Sequence, residues 1–251
     1  MKKETIHIGC SSYATPSWQP LFYPEGLPKK EWFEYYCKHF NTYELNSTFY
    51  RFPTLKSLQS WHEKAPGSFR FSIKVPKTIT HIKRLENCEE EIEKFYAVSR
   101  EGLKDKLACV LFQLPPSFSY GTERLEAVIK SMDPEFNNVV EFRHESWWRQ
   151  DVIEVLSDNN ITFCSVDYPK LPTAVIKTTN TGYVRMHGNP KLFYSEYTLK
   201  QVEAVYNEVK AQNFTEVYIY FNNTATTAAI INAIQAKNIN VKSSGHEETH
   251  L

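Results

Sequence analysis

The sequence predicts an α/β protein folded as a single (β/α)8 barrel of the TIM type, and three observations carry that prediction. Eight short runs rich in β-branched and aromatic residues recur along the 251 residues. Amphipathic segments separate all but one pair of consecutive runs after the first strand. The runs are near-continuously apolar rather than alternating, as parallel strands covered on both faces are.

The elements follow in order. The first strand is read at IHIGC (6–10), and KKEWFEYYCKHF (29–40) follows with Trp32, Phe33, Tyr36, Cys37 and Phe40 on one helical stripe. TYELN (42–46) is the second strand, followed by LKSLQSWHEK (55–64), whose helical period is weaker. FRFSIKV (69–75) leads to NCEEEIEKFYAVSREGL (87–103), whose acidic first turn suits the positive end of a helix dipole. LACVLFQL (107–114) and VVEFR (139–143) are followed by the helical stretches TERLEAVIKSM (122–132) and QDVIEVLSDN (150–159). After ITFCSVD (161–167) comes YPKLPTAVIKTTNTG (168–182), rich in Pro and Thr and without helical period, so this crossover is expected to be mostly loop. YVRMHG (183–188) and EVYIYFNN (216–223) complete the strands, with helices at TLKQVEAVYNEVKAQ (198–212) and ATTAAIINAIQAK (225–237). No linker or repeat divides the chain, which predicts one domain over 1–242 and a frayed polar tail over 243–251.

Composition narrows the function classes. Hydrophobic residues at 41% and charged residues at 23% fit a globular protein with a sizeable core. The 29 basic and 29 acidic residues cancel, so no global field draws the chain to nucleic acid or an anionic membrane. Five cysteines without Cys-x-x-Cys spacing read as buried free thiols in a reducing compartment. With no apolar run of membrane-spanning length and no signal-peptide core behind Met1, a cytoplasmic location is expected.

The polar residues are not scattered. They collect at the C-terminal ends of the strands: Glu44 and Asn46, Lys74, Gln113, Glu141 and Arg143, Asp167, Arg185 and His187, Asn222 and Asn223. Strand side chains alternate faces, so Glu44 shares a face with Asn46, Glu141 with Arg143, and Arg185 with His187. The inward face at that rim is where barrels assemble active sites. The blander reading is a buried Glu141–Arg185 ion pair that merely closes the top of the barrel.

Several stretches together are also familiar. FYPEGLPKKEWFEYY (22–36), YELNSTFYRFP (43–53), FRFSIKVPKTITHIKRL (69–85), FQLPPSF (112–118), EFRHESWW (141–148), VDYP (166–169), YVRMHG (183–188) and YFNNTATTAAIINA (220–233) occur in an order that resembles the YecE-like family, labelled domain of unknown function 72. The resemblance implies a TIM barrel, agreeing with the strand count, but no settled reaction. Barrels of this family look similar in architecture to those of apurinic endonucleases and sugar isomerases, an analogy of fold alone. Where the family pattern reads G-x-S-G-W-x-Y, this chain reads GCSSYAT (9–15), with Ser12, Tyr13 and Thr15 departing from it.

The rim residues suggest anion chemistry. Arg143 and Arg185 offer forked donors and Lys74 a point charge, with the Asn222–Thr224 turn beside them. Glu141, His187, Glu44 and Asp167 form the candidate catalytic set. Arg143, Arg185, Lys74, Asn46, Gln113, Asn222, Asn223, Tyr50 and Trp147 form the candidate binding set, the last two as stacking surfaces. His144 is expected to brace its loop, and His81 to reach the mouth or cap a helix. No cofactor is predicted; a divalent metal is the minor alternative, because the Arg and Lys charges repel a cation. The expectation is an enzyme acting on a small phosphate- or carboxylate-bearing substrate, sugar-like or nucleotide-like, with hydrolase, isomerase and lyase chemistry all open. The alternatives are a nucleic-acid-binding protein using the basic segment KVPKTITHIKR (74–84), and a non-catalytic ligand sensor.

Overall fold

The computed structural model describes residues 4–245. Its eight strands are β1 (Thr5–Cys10), β2 (Thr42–Leu45), β3 (Arg70–Lys74), β4 (Leu107–Gln113), β5 (Asn138–Glu141), β6 (Thr162–Asp167), β7 (Thr181–Met186) and β8 (Glu216–Phe221). All seven ladders between them are parallel, in the order β1-β8-β7-β6-β5-β4-β3-β2. The helices are α1 (Trp32–His39), α2 (Ser47–Tyr50), α3 (Leu55–Lys64), α4 (Glu89–Leu103), α5 (Thr122–Lys130), α6 (Gln150–Asp158), α7 (Leu199–Ala211) and α8 (Ala228–Gly245). The result is a nearly closed TIM-type barrel. The weak 55–64 period is a full helix, started by a reciprocal cap between Thr54 and Ser57.

Closure between β1 and β2 runs through a side chain. The Tyr36 hydroxyl, from α1, accepts from Cys10 N–H at 2.8 Å and donates to the Thr42 carbonyl at 3.1 Å. Gly9 permits that close approach, since a Cβ there would lie 2.4 Å from the Thr42 carbonyl oxygen.

The crossover from β6 to β7 contains no helix, as its composition predicts. Its hydroxyls do the helix's work along β6. Thr178 Oγ1 accepts from Phe163 N–H at 2.8 Å and donates to the Ile161 carbonyl at 2.7 Å, and Ser165 Oγ accepts from Ile176 N–H at 2.9 Å. A Thr-rich strap therefore satisfies backbone groups by side chain.

The barrel interior is filled in layers. Near the N-terminal end His7 stacks on Tyr218, ring centroids 4.7 Å apart. Above them Tyr220 bonds Thr42 at 2.5 Å and Ser72 at 2.9 Å. All five cysteines are free, and Cys10, Cys88, Cys109 and Cys164 are buried. No described helix is long and apolar enough to cross a membrane. Residues 243–245, expected in the tail, continue α8; the remainder of that tail, 246–251, lies outside the described residues.

Candidate active site

Strand register decides which rim residues meet. Val166 pairs with Arg185 and Gln113 with Glu141, and the alternation along the strands turns Glu44, Glu141 and Arg185 inward, where they make a lower tier. One alternation higher on the same strands stand Asn46, Arg143 and His187, and Lys74 and Gln113, at the ends of β3 and β4, open on the cavity with Arg143 and Asn222 as the upper tier.

The lower tier is a closed ionic network. Arg185 donates from Nη1 to Glu141 at 2.5 Å and from Nη2 to Glu44 at 2.6 Å. Glu44 also accepts from the Tyr183 hydroxyl at 2.6 Å and from Asn46 Nδ2 at 3.1 Å. Glu141 takes a further bond from Arg143 Nε. Burial alone raises the Glu141 carboxyl, but Arg143 and Arg185, helped by His187, outweigh it and hold it well below the usual carboxylate range. Two carboxylates between two guanidiniums explain how charges tolerate the interior. The blander reading of Glu141 and Arg185 is thus met in part: Arg185 is held by carboxylates, with only Nε unpartnered.

The upper tier opens into a cavity of about 600 Å³. Its walls include Asn46, Lys74, Gln113, Arg143, Arg185 and Asn222 from the strand ends, with Ser11, Phe49, Tyr50, His81, Phe193, Thr224 and Ala225 from the loops. No Asp or Glu is among these lining residues. α2 is fixed by Thr48, whose hydroxyl reaches the Leu45 carbonyl at 2.9 Å and the Lys74 carbonyl at 2.5 Å. That anchor sets the Phe49 ring 4.0 Å from Lys74 Nζ. The loop after β7 turns at Gly188, φ +89°, and returns Phe193, whose N–H donates to the His187 carbonyl at 2.7 Å.

Lys74 is the least satisfied group in the cavity. It is 8% exposed. Among the described residues its amine makes no hydrogen bond or ion pair, and only the Phe49 ring faces it. Burial, followed by the charge of Arg185, pulls its pKa down to about 7 against the opposing pull of Glu141 and Glu44. Burial, with Lys74 and Arg143, pulls His81 down to about 4, so its ring is neutral.

Several expected roles need correction. His187 lies beneath the cavity, fully buried, with Nδ1 bonded to Asn222 at 2.7 Å and Nε2 3.2 Å from Arg143 and 3.4 Å from Glu141. Burial and then Arg143 hold it well below the ordinary histidine range, so it is a clamped neutral ring rather than a free proton carrier. Asp167 pairs with Met186, which puts it on the outward parity, and its carboxylate accepts from Asn189 Nδ2 at 2.9 Å behind the loop. Asn223, one residue beyond the inward Asn222, is fully buried and donates to the Ser195 carbonyl at 2.9 Å and to Asn232 at 3.1 Å. Trp147 lies flat on Phe142, centroids 4.0 Å apart, and donates to the Phe118 carbonyl at 2.6 Å. None of these four lines the cavity. Tyr50 does, at the lip, 74% exposed. His144 braces its loop through Ser146 at 2.8 Å.

Sequence reasoning missed Ser11, and it missed Phe193 and Ala225, which arrive on loops whose course has no periodic signal. Phe49 was outside the candidate set as well. Tyr183 was legible, since it stands two residues before Arg185 on the same face. The segment KVPKTITHIKR forms no continuous basic rim: Lys74 points inward, Lys83 is paired with Glu91, and Arg84 donates to Ser117 at 3.1 Å. No group of three or more His, Cys, Asp or Glu side chains suited to a metal occurs among the described residues. A groove of about 710 Å³ lined by Ile92, Tyr96, Met132 and Phe136 lies on the outer face between α4 and the end of α5, away from the strand ends.

The chain matches the family model described as "Protein of unknown function DUF72" over residues 7–248, and it belongs to that family. It is 32% identical over 146 residues to the UPF0759 protein YecE of Escherichia coli (strain K12), 57% of this chain and 50% of that protein, so the match spans about half of that relative's length. The UPF0759 protein YunF of Bacillus subtilis (strain 168) is 25% identical over 266 residues, covering 92% of this chain and 93% of that one. Among solved structures, a DUF72 family protein from Thermotoga maritima superposes with a TM-score of 0.86 at 29% identity, covering 95% of this chain and all of that one. A DUF72 protein from Enterococcus faecalis, at 20% identity, covers 94% of this chain and 95% of that one with a TM-score of 0.81, and speaks to the fold alone.

Proposed function

We propose that this DUF72 barrel is an enzyme whose cavity at the C-terminal mouth holds a small sugar-like or nucleotide-like substrate by a phosphate or carboxylate. The observation that supports it is the sign of charge on the cavity wall. Lys74, Arg143 and Arg185 reach the surface of the cavity and no carboxylate does. Glu44 and Glu141, which would neutralise them, are fully buried in the tier below. An anion entering here meets the guanidinium of Arg143 in a low-dielectric setting where charge-assisted hydrogen bonds are strong. Asn46, Gln113 and Asn222 supply neutral polar contacts, and Phe49, Tyr50 and Phe193 give the apolar faces that a ring or carbon chain packs against. Lys74, poised about pH 7, is the group that exchanges a proton with the bound molecule.

The test uses inorganic phosphate and ribose 5-phosphate. Millimolar concentrations of either raise the melting temperature through preferential binding to the folded chain. Arg143→Gln weakens that binding by about tenfold or more, the value of one charge-assisted hydrogen bond. A melting temperature indifferent to phosphate, sulfate and ribose 5-phosphate would sink the reading.

A further inference from the structure

We infer that Lys74 is a covalent catalyst, its amine condensing with the carbonyl carbon of a small aldehyde or ketone that carries the anionic group. The inference rests on the anion reading above and names the substrate class more closely.

Two lysines among the described residues are buried, and they contrast. Lys106, 6% exposed, is fully employed: its amine donates to the His62 carbonyl at 2.6 Å and to the Ala65 carbonyl at 2.7 Å, where it ties α3 to the start of β4. Lys74, 8% exposed, has no acceptor among the described residues. A buried ammonium without an acceptor is costly, and the cost falls when the group gives up its proton. Nearby carboxylates that would hold the proton in place are spent on Arg185, through Glu44 and Glu141. The geometry therefore favours a neutral amine aimed into a cavity, which is a poor holder of anions and a good nucleophile.

The magnitude matters. With its pKa at about 7, half of Lys74 is unprotonated at neutral pH. An ordinary lysine is unprotonated in roughly one molecule in three thousand under the same conditions. Arg143 is left to hold the phosphate or carboxylate end.

The chemistry balances without an oxidant or reductant. The Nζ lone pair attacks the carbonyl carbon, the C=O π pair moves to oxygen, and that oxygen takes a proton to give a carbinolamine. The C–O bond then breaks, oxygen leaves as water with the two hydrogens that nitrogen gave up, and a C=N bond forms. One proton taken up on nitrogen makes the iminium, whose charge sits where the Phe49 ring already faces Nζ.

The experiment incubates the whole chain with glyceraldehyde 3-phosphate and cyanoborohydride at pH 7, then maps the reduced adduct by peptide mass spectrometry. Lys74 is expected to carry at least about ten times more label than any other lysine, with the labelling rate rising through a midpoint near pH 7. Lys74→Met removes the dominant adduct; because the map is made on the unmodified sequence, the result stands even if that variant folds poorly. Label spread over exposed lysines with Lys74 unmodified overturns the inference. Glyceraldehyde without phosphate separates the two readings. Equal labelling of Lys74 by both aldehydes, with no competition from inorganic phosphate, keeps the amine chemistry and removes the anion site. A phosphate-dependent rise in melting temperature with no Lys74 adduct does the reverse.

Discussion

Two tiers of charge stand one strand alternation apart in this barrel, and they behave as opposites. In the lower tier every carboxylate oxygen of Glu44 and Glu141 has a donor, and Arg185 bridges them with both terminal nitrogens. In the upper tier Lys74 has no acceptor, and Arg143, though paired through Nε with Glu141, also lines the cavity. The inward parity is the same; what differs is whether carboxylates stand opposite the cations. Matched charge locks the strand ends together. Unmatched charge carries the chemistry, and the molecule bears a standing cost for it.

The comparison breaks first at Arg185. Arg185→Met leaves Glu44 and Glu141 facing each other without the cation between them. The expected loss is about 3–5 kcal/mol of unfolding free energy, read from urea denaturation. A loss under about 1 kcal/mol would mean that the lower tier is not what holds the strand ends.

The upper tier predicts the opposite sign. Folding lowers the Lys74 pKa, so between about pH 7 and its unfolded value near 10.5 the unfolded chain binds more protons. Stability from this group therefore rises with pH across that window, and the full cost is present below it. Lys74→Met removes the cost. It is expected to stabilise the protein by about 1–3 kcal/mol at pH 6, with the advantage shrinking toward pH 10, while the phosphate-bearing aldehyde no longer reacts. A destabilised variant at pH 6 would show that Lys74 has a partner after all.

How much of this was legible in the sequence follows from periodicity. A strand's period of two placed Glu44 with Asn46, Glu141 with Arg143, and Arg185 with His187, because each pair lies within one run. The helix-free crossover was equally plain, since Pro and Thr at 168–182 lack any helical repeat. Parity between strands was not available, because it depends on register. That is why Asp167 and Asn223 looked like rim residues although each stands one step off the inward set. Loop residues carry no period at all, so Phe193 had no signal, whereas Ser11, two residues beyond Gly9, shared the parity of β1 and was passed over. The state of Lys74 was hidden for another reason: its charge depends on where carboxylates from β2 and β5 are spent, a fact of three-dimensional partnering.

Asp167 gives the smallest and most discriminating effect. On the outward parity of β6 its carboxylate holds Asn189, while the Tyr197 hydroxyl accepts from Gly188 N–H at 2.7 Å. The group therefore braces the turn that follows His187, without reaching the cavity. Asp167→Asn keeps the shape and a carbonyl acceptor for Asn189, so the expected change is about 1 kcal/mol or less in stability. Phosphate binding by calorimetry should stay within about twofold, since no wall residue moves. If the folded variant instead lost phosphate binding altogether, the carboxylate would have to act in the cavity. The outward register of β6, and with it the division into a spent tier and an unspent one, would then fail.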